Sequence, residues 1–251
     1  MTDIGDLMKA LERAPLPESI DSSRPFYIRI DGRSFSTFTK LFTKYLGVDR
    51  QFNDIIRDAM VAATINVCED LRPTFAYTQS DEASFGWIGN ANPESEHPFG
   101  GKIQKLISVS ASTFASGFVS HLYPECETPE LVSLLSKVSF DSRIVDVGNL
   151  DNLQTMFYWR NLDCRRNAVS TFMQQKFSQK ELNGVKTYEL RERIENSQEL
   201  SAEWIDIDDV YKVGTFITKV KSWAYGRAKY ATCSHGEFVE YFKQYEDQYA
   251  L

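Results

Sequence analysis

The sequence is poor in the residues that build thiolate metal centres and disulfide frameworks. Its 251 residues include four cysteines and three histidines, with no Cys-x-x-Cys pair and no metal-ligand spacing among the histidines. Zinc sites and disulfide scaffolds are therefore not expected. The 13 glycines and eight prolines are also few, and no stretch has low complexity. This composition excludes a disordered or fibrous chain.

Long apolar runs are absent as well. No window approaches 18 uninterrupted apolar residues, and the N-terminal segment lacks the basic start and apolar run of a signal peptide. We therefore expect a soluble, cytoplasmic protein that does not associate with membranes. With 42% hydrophobic and 25% charged residues, the chain can bury one core with an extension, or two small cores.

Positive charge is in the minority over the whole chain but concentrated in one segment. The 28 Lys and Arg stand against 35 Asp and Glu, a net charge of −7, which excludes a surface that is basic all round. Residues 155–193 hold eight basic and four acidic residues, so this segment is +4 and the remainder is −11. The pattern fits either a solvated helix face or a local contact with nucleic acid.

Hydrophobic spacing predicts an α+β fold of the ferredoxin-like kind. A strand at 26–30, a helix at 52–71, a hairpin at 74–88, a helix at 103–118 and a strand at 140–147 give the order βαββαβ. This order is typical of a four-stranded antiparallel sheet with two helices on one face. The other face is expected to be free for ligands.

The second part of the chain is predicted to extend this ferredoxin-like unit. We assign residues 1–148 to a catalytic domain and 149–251 to a helical and mixed C-terminal region, with helices near 150–177 and 179–197. Near the C-terminus an aromatic stripe is expected to be core or a subunit contact; its members are Phe238, Tyr241, Phe242, Tyr245 and Tyr249.

Carboxylates are predicted to converge at one end of the sheet. In a ferredoxin-like sheet the first strand lies beside the central hairpin, which brings Asp31 to the hairpin tip at Asp81 and Glu82. Close carboxylates repel each other unless a divalent cation or a proton lies between them. Oxygen ligands without His or Cys favour Mg²⁺, which also takes phosphate oxygens, so a nucleotide substrate is implied. Asp31-Gly32 alone would equally fit an ordinary strand-ending turn.

Gly32 and the residues after it could form a phosphate cradle. Without a side chain at Gly32, its carbonyl can approach a metal ion and the N–H groups of residues 33–35 can approach phosphates. Two Mg²⁺ ions held there would activate an attacking hydroxyl and neutralise a leaving pyrophosphate, as in polymerase palms.

Four motifs then occur in a characteristic order. They are residues 29–35 (RIDGRSF), 76–85 (AYTQSDEASF), 140–143 (FDSR) and 159–163 (WRNLD). Together they resemble the tRNA-histidine guanylyltransferase family over about residues 24–195. Residues 177–184 (FSQKELNG) resemble the shorter bacterial-type members, the 3′-to-5′ polymerases or guanylyltransferase-like proteins.

The resemblance implies a polymerase-type palm that adds nucleotides to the 5′ end of tRNA. In the family, ATP activates a 5′-monophosphate, the 3′-hydroxyl of GTP attacks the activated end, and a 5′-triphosphate bypasses activation. ATP, GTP and two Mg²⁺ ions are the implied substrates and cofactors, tRNA is the implied partner, and a homotetramer built from dimers is the implied assembly.

The resemblance also implies roles for individual residues. Asp31, Gly32 and Asp81 would hold the two metal ions, with Asp31, Asp81 and Glu82 forming the catalytic set. Residues implied to contact the nucleotide are Arg29, Gly32, Arg33, Ser34, Phe35, Ser36, Lys44, Ser80, Asp81, Lys102, Lys105 and Arg143. Residues implied to contact the tRNA are Arg160, Asp163, Arg165, Arg166, Asn167, Lys180 and Asn183.

Several alternatives stay open at this point. Lys102 and Lys105 would also fit a solvated helix end, and Arg160 with Asp163 a structural ion pair. Residues 165–168 read RRNA where eukaryotic members have His-Ile-Asn-Asn, and Lys44 precedes YLGVD where they have Lys-Pro-Asn-Asp. Both histidine-tRNA guanylylation and template-directed repair of truncated 5′ ends are therefore possible. A palm-type nucleotide cyclase and a non-catalytic RNA-binding module on an RRM-like sheet are the other candidates.

Overall fold

The computed structural model describes residues 3–90, 95–220, 229–238 and 240. Within them lie six strands and ten α-helices. The strands are β1 (Phe26–Gly32), β2 (Phe75–Gln79), β3 (Glu82–Trp87), β4 (Phe140–Asp146), β5 (Thr215–Val220) and β6 (Lys229–Cys233). The helices are α1 (Ile4–Glu12), α2 (Phe35–Leu46), α3 (Asp54–Leu71), α4 (Ile103–Leu122), α5 (Pro129–Leu135), α6 (Leu150–Lys176), α7 (Gln179–Leu182), α8 (Thr187–Glu195), α9 (Gln198–Asp206) and α10 (Asp209–Val213).

The strands form one antiparallel sheet in the order β4-β1-β3-β2-β5-β6. Its first four strands follow the ferredoxin-like order, which confirms the predicted α+β fold. The C-terminal region extends the same sheet, because Phe216 of β5 pairs with Tyr77 of β2. The proposed boundary at residue 148 therefore falls within a chain whose later strands return to the palm sheet, and it stays a prediction.

One face of the sheet packs against the helices α2, α3 and α4. Apolar residues of β1 such as Ile28 and Ile30 join them in the largest buried cluster. Helix α2 was not predicted, although its buried Phe35, Phe38 and Phe42 recur at helical spacing. The ring of Phe118 on α4 lies 5.4 Å from that of Phe35, which fixes the start of α2 against the core.

The expectation of a free second face is wrong over much of the sheet. Helix α6 covers it: the ring of Phe157 packs edge-on against Tyr27 at 5.6 Å and Phe75 at 5.4 Å. Met8 of α1 is buried in the same cluster. Tyr27 and Phe75 point to the same face of the sheet, because side chains alternate along a strand. Helices α6 and α1 pack against this face and form a second core with it. Asp31, at the end of β1, is half-buried, so this end of the face is open to solvent.

The region after α6 is helical, but the predicted helix at 179–197 is broken into α7 and α8. Gly184 lies between them with φ +80°, a conformation that interrupts a helix at little cost only for glycine. Of the aromatic stripe, Phe238 is buried in the second cluster, as predicted for a core residue. Tyr241, Phe242, Tyr245 and Tyr249 lie outside the described residues. None of the described helices has an apolar stretch long enough to span a bilayer.

Candidate active site

The end of β1 lies against the tip of the β2–β3 hairpin, as the sequence predicts. In the register of the sheet, Asp31 lies opposite Glu82 on β3 and opposite Asp141 on β4. The amide of Gly32 donates a hydrogen bond of 3.0 Å to the carbonyl of Asp81. These contacts bring two aspartates together that are 50 positions apart in the chain.

The hairpin tip is a two-residue turn made of Ser80 and Asp81, closed by the pair Gln79 and Glu82. Ser80 has φ +51°, the left-handed conformation that tight hairpin turns require at this position. Its hydroxyl lies 3.1 Å from a carboxylate oxygen of Asp81 and donates to it. The turn therefore orients the Asp81 carboxylate at the end of the sheet.

Both aspartates have a pKa above the usual range. Burial raises the pKa of Asp81, and the negative charge of Asp31 raises it further. Burial also raises the pKa of Asp31, with the neighbouring charge of Asp141 adding to the effect. Burial and the repulsion of neighbouring carboxylates thus disfavour the ionised forms of Asp31 and Asp81. A cation between the two carboxylates would stabilise the ionised forms, so the electrostatics of the site favour cation binding.

The backbone after β1 forms a turn into α2 that supports the predicted phosphate cradle. A Cβ on Gly32 would lie 2.5 Å from the ring of Phe35, so the turn closes only with glycine there. Ser34 caps α2 in the left-handed conformation, with φ +54°, no side-chain cap bond and no acid in the first turn. The first N–H groups of α2 therefore lack an internal negative partner, which is the arrangement that suits an anion.

Glu82 does not share the environment of the two aspartates. Both of its carboxylate oxygens accept hydrogen bonds of 2.6 Å from the guanidinium of Arg160 on α6. Arg160 also donates to Asp163 at 2.5 Å, and Asp163 accepts a further bond from Arg166. Burial raises the pKa of Glu82, and Arg160 opposes that shift. The structural pair of Arg160 and Asp163 is thus present, and a third member, Glu82, joins it.

A cleft of about 310 Å³ opens beside Ser80 and Asp81, between α2 and α3 on one side and α6 and α10 on the other. Of the predicted residues, Phe35, Ser36 and Asn167 also line it. Sequence reasoning missed most of the other lining residues. Those among them with a charged or aromatic side chain, none of which belongs to a motif, are Arg50, Phe52, Arg57 and Tyr211. Arg50 donates to the hydroxyl of Ser36 at 3.1 Å and to its carbonyl at 3.2 Å. These hydrogen bonds place the positively charged guanidinium of Arg50 beside the start of α2.

Other predicted nucleotide-binding residues lie apart from this cleft. Arg29 is buried and forms an ion pair of 2.6 Å with Glu12 on α1. Arg143 lies on β4, largely exposed, with its Nε 3.1 Å from Asp141. Exposed positions at the end of α2 and the start of α4 belong to Lys44, Lys102 and Lys105, while Arg33 and Ser34 are exposed in the turn before α2.

The predicted tRNA-binding residues divide into paired and exposed groups. Arg165 is partly buried and donates to the side chain of Asn161 at 2.9 Å, whereas Arg166 is exposed beside Asp163. Lys180 on α7 and Asn183 just after it are exposed. The basic segment therefore keeps exposed charge at Arg166 and Lys180, while Arg160 is neutralised inside the protein.

The residues at the end of β1 fit a magnesium ion. No group of three or more His, Cys, Asp or Glu side chains in the described part of the chain forms a cage for a metal ion. Two carboxylates, from Asp31 and Asp81, and a strand-end carbonyl, from Gly32, supply only hard oxygen donors. Mg²⁺ is commonly bound through one or two carboxylates, with water and phosphate oxygens completing the shell.

A sheet in this order, with one aspartate at the end of β1 and another in the adjacent β2–β3 turn, is an α+β palm-type fold. The chain belongs to the tRNA(His) guanylyltransferase (Thg1) family, whose model matches residues 5–148. An uncharacterised protein of Acanthamoeba polyphaga mimivirus is 30% identical over 236 residues, which cover 86% of this chain and 77% of the viral protein.

Fungal relatives match over a shorter region. The tRNA(His) guanylyltransferase of Schizosaccharomyces pombe is 33% identical over 142 residues, or 57% of this chain. The match spans 50% of that enzyme, so the chain covers only about half the length of this relative.

Solved structures show the same fold over nearly the whole chain. A bacterial tRNA(His) guanylyltransferase-like protein in complex with ATP superimposes with a TM-score of 0.72 at 25% identity, covering 96% of this chain and 98% of that one. A structure of such a protein with GTP gives a TM-score of 0.69 at 24% identity, covering 98% and 97% of the two chains. The family model confirms the predicted family, and these structures show that the fold is similar to that of bacterial-type members.

Proposed function

We propose that the protein is a nucleotidyltransferase that adds nucleotides to the 5′ end of tRNA in the 3′-to-5′ direction. The observation that carries this proposal is the backbone hydrogen bond from Gly32 to Asp81, which holds the strand end that carries Asp31 against the hairpin turn that carries Asp81. Both aspartates have a raised pKa, and Asp81 lines the cleft. Membership of the family and the ATP and GTP complexes of similar structures support it.

Asp31, Asp81 and the carbonyl of Gly32 would hold two Mg²⁺ ions. When bound, these ions activate the attacking hydroxyl and neutralise the leaving phosphates. The turn into α2 and Arg50 would hold triphosphate oxygens, because N–H groups and a guanidinium surround one space there. Glu82, tied to Arg160, would orient the hairpin and hold no ion directly.

The reaction exchanges one phosphorus–oxygen bond for another. The 3′-oxygen of the incoming nucleotide bonds to the 5′ phosphorus of the tRNA, and the bond from that phosphorus to the leaving group breaks. The leaving group is AMP when the end has been adenylylated and pyrophosphate when the end is a triphosphate. The exposed cations Arg166 and Lys180 would contact RNA phosphates near this end.

Two substrates remain within the proposal. Residues 165–168 are Arg-Arg-Asn-Ala where eukaryotic members have His-Ile-Asn-Asn. This difference favours repair of truncated 5′ ends at least as much as guanylylation of histidine tRNA. The homotetramer implied by the family also remains a prediction, which light scattering of the purified protein would measure.

A product assay with matched variants tests the function. The protein is incubated with Mg²⁺, ATP, labelled GTP and either full-length histidine tRNA or a tRNA lacking its first nucleotide. We expect Asp31→Asn and Asp81→Asn each to reduce nucleotide addition by more than about 100-fold, because each removes a metal ligand. Asp206→Asn, at an exposed acid on α9, is the control and should act as the wild type does.

The outcomes separate the proposal from its alternatives. Near-normal addition by either aspartate variant would contradict the assigned site. Formation of a cyclic nucleotide from GTP without any use of tRNA would identify a cyclase. Binding of tRNA with no nucleotide transfer by the wild type would identify an RNA-binding module.

A further inference from the structure

Three acids lie side by side at the open end of the sheet. Asp141 on β4, Asp31 on β1 and Glu82 on β3 are register partners, so their side chains share one face. Asp141 and Glu82 each form an ion pair with an arginine. Arg143 lies 3.1 Å from Asp141, and Arg160 donates hydrogen bonds to both carboxylate oxygens of Glu82. Among the described residues, Asp31 has no ion-pair partner.

A buried arginine two residues from Asp31 is held away from it by another partner. Arg29 lies two residues earlier on the same strand face, about 7 Å away by strand geometry. Its guanidinium is 2.6 Å from Glu12 at the end of α1, and its buried Nε has no hydrogen-bond partner in the described structure. One carboxylate on another element therefore holds this buried cation.

We propose that Glu12 is a positioning residue that holds Arg29 away from Asp31 and so keeps the Asp31 carboxylate available for a divalent cation. The inference rests on the proposed function, in which Asp31 is a metal ligand. It assigns a role in the site to α1, a helix that contains none of the sequence motifs.

The packing of α1 makes this arrangement specific. Met8 is fully buried in the cluster beneath α6, and a Cβ on Gly5 would lie in ordinary van der Waals contact, 3.5 Å from the indole nitrogen of Trp159, so α1 packs directly on α6. Glu12 follows one turn after Met8 and so reaches the strand face at Arg29.

Loss of Glu12 would leave a buried cation without its partner, which is strongly unfavourable. Of the charged groups that face Arg29, Glu82 is saturated by Arg160 and Arg143 repels it. Asp141, on the same face, is paired with Arg143, so among the described residues Asp31 is the nearby acid without an ion-pair partner. An Arg29–Asp31 pair would then compete with the metal ion for the same carboxylate.

Direct binding of Mn²⁺, used alone as the probe, tests the proposal. Calorimetry would compare the wild type with Glu12→Gln, Arg29→Met and the double variant, with Asp6→Asn on the exposed side of α1 as the control. We expect Glu12→Gln to weaken Mn²⁺ binding about tenfold, equivalent to about 1.4 kcal/mol. Arg29→Met in the Glu12→Gln background should restore the wild-type affinity, and Asp6→Asn should not change it.

Each result has a distinct meaning. Wild-type affinity in Glu12→Gln, or a double variant as weak as Glu12→Gln, would overturn the positioning role and leave the proposed function intact. Failure of the wild type itself to bind Mn²⁺ would overturn both. Should Glu12→Gln not fold, Arg29→Met alone decides: undiminished Mn²⁺ affinity supports the proposal, and a large loss overturns it.

Discussion

Replacing Arg160 by Met tests whether the buried charges beneath the hairpin act as one unit. The side chains of Arg160 and Glu82 are 10% and 6% exposed and share two hydrogen bonds of 2.6 Å. Removing one partner of such a pair leaves an uncompensated buried charge, which costs about 3–5 kcal/mol. With an m value of roughly 3 kcal/mol per M, the urea midpoint at pH 7.5 should fall by roughly 1–2 M.

The pH dependence follows from the pKa of Glu82. Burial already holds this pKa above its usual value, and Arg160 opposes the shift, so Arg160→Met should raise it further. A carboxyl whose pKa is higher in the folded than in the unfolded state destabilises the fold when ionised. The penalty is relieved as the pH falls through the folded pKa. The loss in Arg160→Met should therefore be smaller at pH 5.5 than at pH 7.5.

Two control variants make this test decisive. Glu82→Gln with Arg160→Met removes both charges and should be more stable than Arg160→Met alone. Arg191→Met, at an exposed site on α8, should change stability by less than about 0.5 kcal/mol. An Arg160→Met midpoint equal to that of the wild type at pH 7.5, or a loss that grows on acidification, would refute the reasoning.

Two further predictions concern the metal site and the basic segment. Asp81→Asn should raise the melting temperature of metal-free protein at pH 7.5, because it removes an ionised carboxylate whose pKa is raised in the folded state. The gain should vanish towards pH 4, where this carboxyl is protonated in the wild type. A lower melting temperature of the variant at pH 7.5 would contradict this prediction. Arg165→Ala with Arg166→Ala should weaken tRNA binding and flatten the slope of log affinity against log salt by about 0.7–0.9, the contribution of one phosphate contact from the exposed Arg166, as measured by filter binding. An unchanged slope would reject these residues as phosphate contacts.

Local pattern was enough to predict the palm sheet and most of its helices. The run from Phe26 to Ile30, the alternation on either side of the hairpin turn and the long helix from about 150 to 177 all lie where spacing placed them. The meeting of Asp31 with Asp81 followed from strand order alone. These features depend on periodicity within short windows, which the sequence displays directly.

Features that depend on distant partners were not predictable in this way. The sequence around Glu82 does not indicate that its partner is Arg160, which lies 78 residues later on α6, a helix of the second core. Helix α2 was missed because its first residues were interpreted as a phosphate loop, although Phe38 and Phe42 carry helical spacing. The role of α1 depends on a single contact between Glu12 and Arg29, which has no periodic signature.

Anomalous diffraction from crystals grown with Mn²⁺ and GTP tests the central claim most directly. The account predicts a peak within about 2.5 Å of carboxylate oxygens from both Asp31 and Asp81, with the triphosphate on its other side. Peaks that contact neither aspartate, or a nucleotide bound with its phosphates remote from the junction of β1 and the hairpin, would contradict it.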